Sequence, residues 1–310
     1  MINIKEIESY KDYGKVISIS NGSIEAYITV DIGPRIIRFG YVGGQNFMQD
    51  NRSEVGFRDG EEFENYFGKG KKWENLGGHR IWTSPEAYPE TYYPDLTPVS
   101  YELTENGAVF TPDAETENGL AKQLEVAMSS NSDEMQVTMR VKNISNTDKK
   151  FAIWGLTVSS KGGTLIVPMN TNDTGLLANR NISVWPYTDM SDDRIYWGKK
   201  YVTLRHDSDA ESPIKLGFDL NDGTVHYVLG EEIFTKSYET LHPTANYPDN
   251  NCSFETYTCD VFTEVESLSE LKAVKPDETS VLTENWRLSK KPCEIDFKSD
   301  ESIDNFVEKI

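Results

Sequence analysis

The sequence predicts one large all-β domain of antiparallel strands, a sandwich or barrel, with at most short helices. Three observations lead there. Apolar and polar residues alternate with period two along much of the chain, the pattern of strands with one buried face. Clusters of Gly, Asn and Asp interrupt these runs at short intervals and supply turns. Helical periodicity is nearly absent until residue 300.

Taken in order, residues 15–20 alternate and lead through Asn21 and Gly22 into a second alternating run at 23–30, which is hairpin grammar. Residues 122–128 and 135–142 alternate cleanly around a turn at 131–133. Further strands are expected at 151–158, 164–167, 201–205, 214–218, 224–229, 253–258 and 262–266. Residues 300–309 predict one short amphipathic helix with Ile303, Phe306 and Val307 on a face. No linker-like tract or internal repeat divides the chain, so residues 1–290 are expected as a single domain and 291–310 as a tail. Residues 47–98 lack alternation and read as one long loop rich in Phe, Tyr and Trp. A loop of that length in a folded domain is usually functional, and its rings suit either stacking on sugars or packing the loop down.

The chain has 310 residues, 51 of them acidic and 31 basic, for a net charge of -20. Such a surface repels phosphate backbones and anionic lipid heads, which argues against nucleic acid and membrane as partners. A neutral small molecule such as a sugar is compatible with it. The N-terminal residues alternate apolar and charged side chains without an apolar signal core, and no run is long enough to span a bilayer. Cys252, Cys259 and Cys293 lack metal-type spacing and are expected as unpaired thiols in a reducing compartment. The expected location is therefore cytoplasmic. Three Asn-x-Ser sequences, at 143, 181 and 251, would matter only on a secreted chain.

No phosphate-binding loop, dinucleotide fingerprint, zinc helix motif or nucleophile elbow is present. Asp189, Asp192 and Asp193 read as turn residues, so no metal and no cofactor are expected. Among four histidines, His79 draws attention because it follows Gly77 and Gly78 and precedes Arg80 and Trp82. The glycines would let the backbone approach a ligand, Arg80 offers a planar donor fork and Trp82 a stacking face. Strand alternation would send 80 and 82 to one side and 79 and 81 to the other. His242 lies in a loop just before Glu255 and is the most plausible second histidine. Glu255 shares a strand face with Ser253 and Tyr257, while Glu264 and Glu266 share one with Phe262. Carboxylates gathered in one cavity would raise one another's proton affinity. The plainer alternative is the solvated half of an antiparallel pair.

The order of these pieces resembles the galactose-mutarotase-like (aldose 1-epimerase-like) superfamily over most of the chain. Asn21 and Gly22 with residues 25–28, then Gly33, Pro34, Arg35 and Ile36, look like its opening hairpin and Gly-Ala-Arg turn. Residues 141–148 (Val-Lys-Asn-Ile-Ser-Asn-Thr-Asp) look like its segment before the central strand. Phe254, Glu255 and Thr256 are similar to its Leu-Glu-Thr-Gln, and residues 275–288 to its closing Pro-Gly-Glu and Thr-x-Tyr-x-Phe pattern. The resemblance implies a large antiparallel β-supersandwich with a carbohydrate cleft on its concave face. It makes a sugar or oligosaccharide the partner, and leaves the oligomeric state open. It implies Glu255 as general base, with Glu266 by an alternative alignment and Glu264 left open; the expected sugar contacts are Arg35, Arg80, Trp82, Trp154, Glu264, Glu266 and His242. Where the family carries its acid histidine, this chain has Trp154. His79 is then the candidate acid. Without one, the site would lose a factor of about 10² to 10⁴ in rate, and a non-catalytic recognition or regulatory module is the alternative.

Overall fold

Two antiparallel sheets lie face to face in the computed structural model, which describes residues 1–241 and 245–310. Among the described residues the first sheet has 11 strands and the second 10. The first sheet runs from Asn3–Ile7 at one edge, through Ile36–Tyr41, Gly78–Ser84, Lys149–Ser159, Thr263–Leu268, Phe254–Thr258 and Ile214–Phe218, to Ile182–Val184. The second is centred on Glu232–Tyr238, Thr279–Lys290, Glu134–Asn143 and Leu120–Met128. The fold is a large all-β sandwich with three short helices among the described residues.

Alternation in sequence becomes one-sided burial in the second sheet. In Thr279–Lys290, buried Leu282, Trp286 and Leu288 alternate with more exposed neighbours, so one face meets the core and the other water. Between the sheets, Trp286 packs edge-on against Phe39 and Phe234, with ring centroids 5.3 and 5.0 Å apart. The helix Asp300–Val307, capped by the Ser299 side chain, seats Ile303 and Phe306 against Ile166, Val228 and Ile233. No helix among the described residues is long and apolar enough to cross a membrane.

The central strands of the first sheet are buried on both faces, and this corrects the expectation of one long loop at 47–98. That segment contributes Gly78–Ser84 to the sheet, flanked by Ile36–Tyr41 and Lys149–Ser159, and a helix at Glu61–Phe67. A strand covered on both sides shows no alternation, and a seven-residue helix is too short to show a period. The rest of the segment lies over the sheet's outer face, where Phe63, Phe67, Trp73 and Tyr92 pack with Trp82, Trp154 and Leu156. Gly77 and Gly78 serve this junction. Both have positive φ, and a side chain on either would collide with the carbonyls of Gln49 or Ile36.

The interior also holds an ion pair with no exposure to solvent. Lys236 Nζ lies 3.2 Å from Glu284 Oε1 and donates across the sandwich to Thr157 Oγ1 at 2.7 Å and the Val265 carbonyl at 2.8 Å. Glu284 accepts from Trp286 Nε1 at 2.6 Å and from the Ser267 hydroxyl. Gly155 makes room, since a Cβ there would stand 2.3 Å from Glu284 Oε1. Breaking one side of such a pair leaves an uncompensated buried charge, at about 3–5 kcal/mol. Lys236→Met should therefore lower unfolding free energy in urea by about that amount. The double variant Lys236→Met/Glu284→Gln should lose less than the sum of the single changes.

Candidate functional site

Strand register gathers the site. Across neighbouring strands of the first sheet, Trp82 stands opposite Trp154, Arg80 opposite Leu156, Leu156 opposite Glu266 and Glu266 opposite Glu255. Tyr257 lies opposite Glu264 on one side and Lys215 on the other. Directly opposed residues share a face, so Arg80, Trp82, Trp154, Lys215, Glu255, Glu264 and Glu266 all project from the outer face. Arg80, Trp82, Trp154, Lys215 and Glu264 form the floor of a cleft of about 550 Å³, walled by Trp73, Tyr92, Trp185 and Tyr187, while Glu266 is fully buried beside Lys215 and Glu255 lines the neighbouring recess. A recess of about 370 Å³ adjoins it, sharing Glu86, Tyr92, Trp154 and Trp185.

Lys215 organises the floor. Its Nζ lies 2.8 and 2.7 Å from the two oxygens of Glu266 and 3.0 Å from Glu255 Oε2, which uses all three of its protons. The ammonium also sits 5.0 Å from the ring centre of Trp154 and 5.3 Å from that of Trp185. Burial alone would drive its proton off, but Glu266, Glu255 and Glu264 override that and hold the ammonium far above the ordinary lysine range. Trp154 Nε1 donates to Glu266 Oε2 at 2.7 Å, fixing the carboxylate from the other side. Arg80 lies flat over Trp82, 4.1 Å from its ring centre, and reaches Asn75 Oδ1 at 3.3 Å and Glu264 Oε1 at 3.5 Å.

Three buried carboxyl groups thus share two buried cations, Lys215 and Arg80. Charge in a dry site must be matched, and this cluster balances when one carboxyl keeps a proton. Glu255 is pushed up to about 8 by burial, against Lys215 and with help from Glu266 and Asp249. Glu264 is pushed up to about 7 by burial and Glu266, against Arg80 and Lys215. Glu255 Oε1 is buried and without a hydrogen-bond partner among the described residues. An ionised carboxylate beside a protonated carboxyl on adjacent strands of one sheet face is an acid/base pair.

Of the residues singled out in the sequence, Glu255, Glu264, Glu266, Arg80, Trp82 and Trp154 come together here. His79 does not. It projects to the opposite face of the sheet, where Nδ1 pairs with Thr157 Oγ1 at 2.9 Å and the ring meets Trp286 edge-on at 5.1 Å. Burial first, then Lys236, Arg80 and Arg35, hold its proton affinity well below that of an ordinary histidine. The sheet itself separates His79 from Glu255, which corrects the expected pairing. Arg35 also lies outside the cleft, bonded to Asp95 at 2.6 Å beside a cavity of about 30 Å³. His242 lies outside the described residues, and no described histidine lines the cleft.

Sequence reasoning missed Lys215, Trp185 and Asp249. Lys215 did carry a signal, because it is the one charged residue in an otherwise apolar strand and a buried lysine needs a partner. Trp185 and Asp249 sit in irregular segments whose path the sequence does not declare.

No protein-family model matches the sequence, and no curated protein sequence matches it. Solved structures do resemble it. A galactose mutarotase-like protein from Lactobacillus casei aligns over 88% of this chain and 100% of its own, with a TM-score of 0.52 and 10% identity. One from Clostridium acetobutylicum aligns over 94% and 98%, with a TM-score of 0.51 and 11% identity. The chain has the galactose-mutarotase-like fold. A TPR-domain-containing protein from Parabacteroides distasonis matches 90% of the chain with 48% of its own length, at a TM-score of 0.58 and 13% identity. At these identities the likeness is one of fold.

The raised proton affinities of Glu255 and Glu264 make stability depend on pH. Each binds its proton more tightly folded than unfolded, so the folded state holds more protons between the ordinary value of 4.5 and about 8. Stability is then greatest at the acid end of that window and falls as pH rises through it, by an amount on the order of a few kcal/mol. Urea unfolding from pH 5 to 9 should show this decline, and Glu255→Gln should flatten it. A wild-type curve level across the window would contradict the charge imbalance.

Proposed function

We propose that the chain binds a carbohydrate in this cleft and catalyses aldose 1-epimerase-type proton transfer on it, using carboxyl groups in place of a carboxylate–imidazole pair. The observation that carries this reading is the buried floor of three carboxyls and two cations, with Glu255 Oε1 unengaged. Tryptophan and tyrosine walls suit the apolar faces of a sugar ring, and the charged and amide side chains among them, Asn75, Arg80, Lys215 and Glu264, suit its hydroxyls.

In the proposed reaction, the ionised member of the Glu255/Glu264 pair takes the proton from the C1 hydroxyl. The protonated member delivers its proton to the ring oxygen. The C1–O5 bond breaks to give the open aldehyde, the C1–C2 bond rotates, and the reverse transfers close the other anomer. The two carboxyls have exchanged protonation states at the open aldehyde and regain their starting states on closure, so the site is ready for the next turnover. Lys215 and Arg80 hold the total charge of the cluster fixed throughout, and Trp154 keeps Glu266 aimed at Lys215. The three free thiols fit a cytoplasmic setting for the protein.

Exchange NMR between α and β anomers over a panel of aldoses tests the reading. Acceleration of at least one aldose is expected, reduced by about 10²- to 10⁴-fold in Glu255→Gln. Binding by calorimetry that survives Glu255→Gln, fails in Trp154→Ala and comes with no acceleration of any aldose would make the protein a recognition module. That second reading draws on Trp154, an indole where the family resemblance calls for an acid imidazole.

A further inference from the structure

The recess beside the main cleft differs from it in charge. Its described lining includes three acidic side chains, Glu86, Asp249 and Glu255, and the rings of Tyr92, Trp154 and Trp185, and Lys215 reaches it only through Glu255. Glu86 is bonded to the Tyr92 hydroxyl. Glu255 is 1% exposed, and only one of its oxygens is taken by Lys215; the other has no partner among the described residues. A buried carboxyl oxygen left open costs on the order of 1–3 kcal/mol, and the cluster behind it is one cation short, so the site is built for a donor that also brings positive charge.

Asp249 is held there at the expense of its backbone. Asp249, Asn250 and Asn251 have φ of 49, 63 and 77° in succession, a left-handed run that L-residues other than glycine rarely enter. The turn is held by one bond from a distant strand and one within the turn. Ser183 Oγ donates to the Asp249 carbonyl at 2.8 Å, and Asn251 Oδ1 accepts from the Tyr247 amide at 2.9 Å. Its effect is to present a second carboxylate beside Glu255.

Charge and rings together select the ligand group. An anionic sugar would meet three carboxylates. A neutral one would satisfy Glu255 but leave the local negative charge uncompensated. An ammonium answers both, and aromatic faces favour it further; Trp154 and Trp185 already accept the ammonium of Lys215. We propose that the recess recognises a protonated amine and that the preferred ligand is an amino sugar, with its ammonium on Glu255 and Asp249. The proposal rests on the carbohydrate reading above. An amine at C2 stands next to the C1 hydroxyl, so Glu255 reaches both.

Calorimetry with glucosamine, galactosamine and mannosamine, each beside its parent hexose and its N-acetyl derivative, tests this. At least one amine should bind about tenfold tighter than both counterparts, the scale of one added charge contact. Asp249→Asn, which still tolerates the left-handed backbone, should bring that amine down to its parent's affinity. Glu86→Gln, at an exposed position that does not threaten folding, should weaken the preference in the same direction. Parent or N-acetyl sugars that bind as tightly as the amine would overturn the inference and leave the carbohydrate reading standing. Failure of every sugar to bind would overturn both.

Discussion

Buried charge on both faces of one strand pair is the constraint around which this molecule is arranged. Lys149–Ser159 and Thr263–Leu268 lie side by side in the first sheet, covered above and below. On the inner face Lys236 reaches across from the second sheet to Thr157 and the Val265 carbonyl. On the outer face Lys215 reaches in from a neighbouring strand to Glu266 and Glu255. Neither ammonium can stay charged in a dry environment without partners, so each dictates which residues stand around it. The two solutions differ. Inside, one lysine meets one glutamate, and the remaining bonds go to hydroxyls, two carbonyls and an indole. Outside, two cations face three carboxyls, and the account is short by one positive charge. The balanced cluster locks the sheets together, while the unbalanced one faces a cleft.

The cleft exists because the outer face is only partly roofed. The segment between Ile36–Tyr41 and Gly78–Ser84, and the stretch just after it, cover the sheet with Phe63, Phe67, Trp73 and Tyr92. That cover buries the cluster deeply enough to raise the proton affinity of Glu255 and Glu264. It stops short of Trp185 and Tyr187, which are half-buried and exposed, so the cluster remains reachable. Roofing and function are thus one feature: a fully covered floor would be inert core, and an open one would be solvated carboxylates with ordinary proton affinity.

How much of this could be read from the sequence depends on which face each strand shows to water. Leu120–Met128, Glu134–Asn143 and Thr279–Lys290 keep a solvated face, and their alternation declares them. Gly78–Ser84 has none, so it looked like loop, although it is as central as any strand. The same parity that places Arg80 and Trp82 in the cleft sends His79 to the core. A rare histidine after two glycines suggested ligand contact, but the glycines answer to the carbonyls of Gln49 and Ile36. Glu255 was legible because its neighbours in sequence resemble a known motif. Lys215, its partner in space, is 40 residues away along the chain and has no motif around it. Long-range charge matching is a property of the fold, and only a lone lysine in an apolar strand hinted at it.

Trp154 shows why the site cannot be understood by substituting one residue type for another. An indole N–H donates a hydrogen bond but gives up no proton at accessible pH, so it cannot serve as the acid that a histidine would be. What it does is fix Glu266 against Lys215. With Glu266 committed to that pair, Glu255 and Glu264 are left with one Lys215 contact and one long Arg80 contact between them. On the proposed reading, the proton that a histidine would have carried is retained by the carboxyls themselves, as when two carboxylic acids too close to ionise together share one. On that reading, the chain has not lost its proton donor. It has moved that role from an imidazole, whose affinity is set by its own chemistry, to a carboxyl whose affinity is set by burial and by a deficit of one cation.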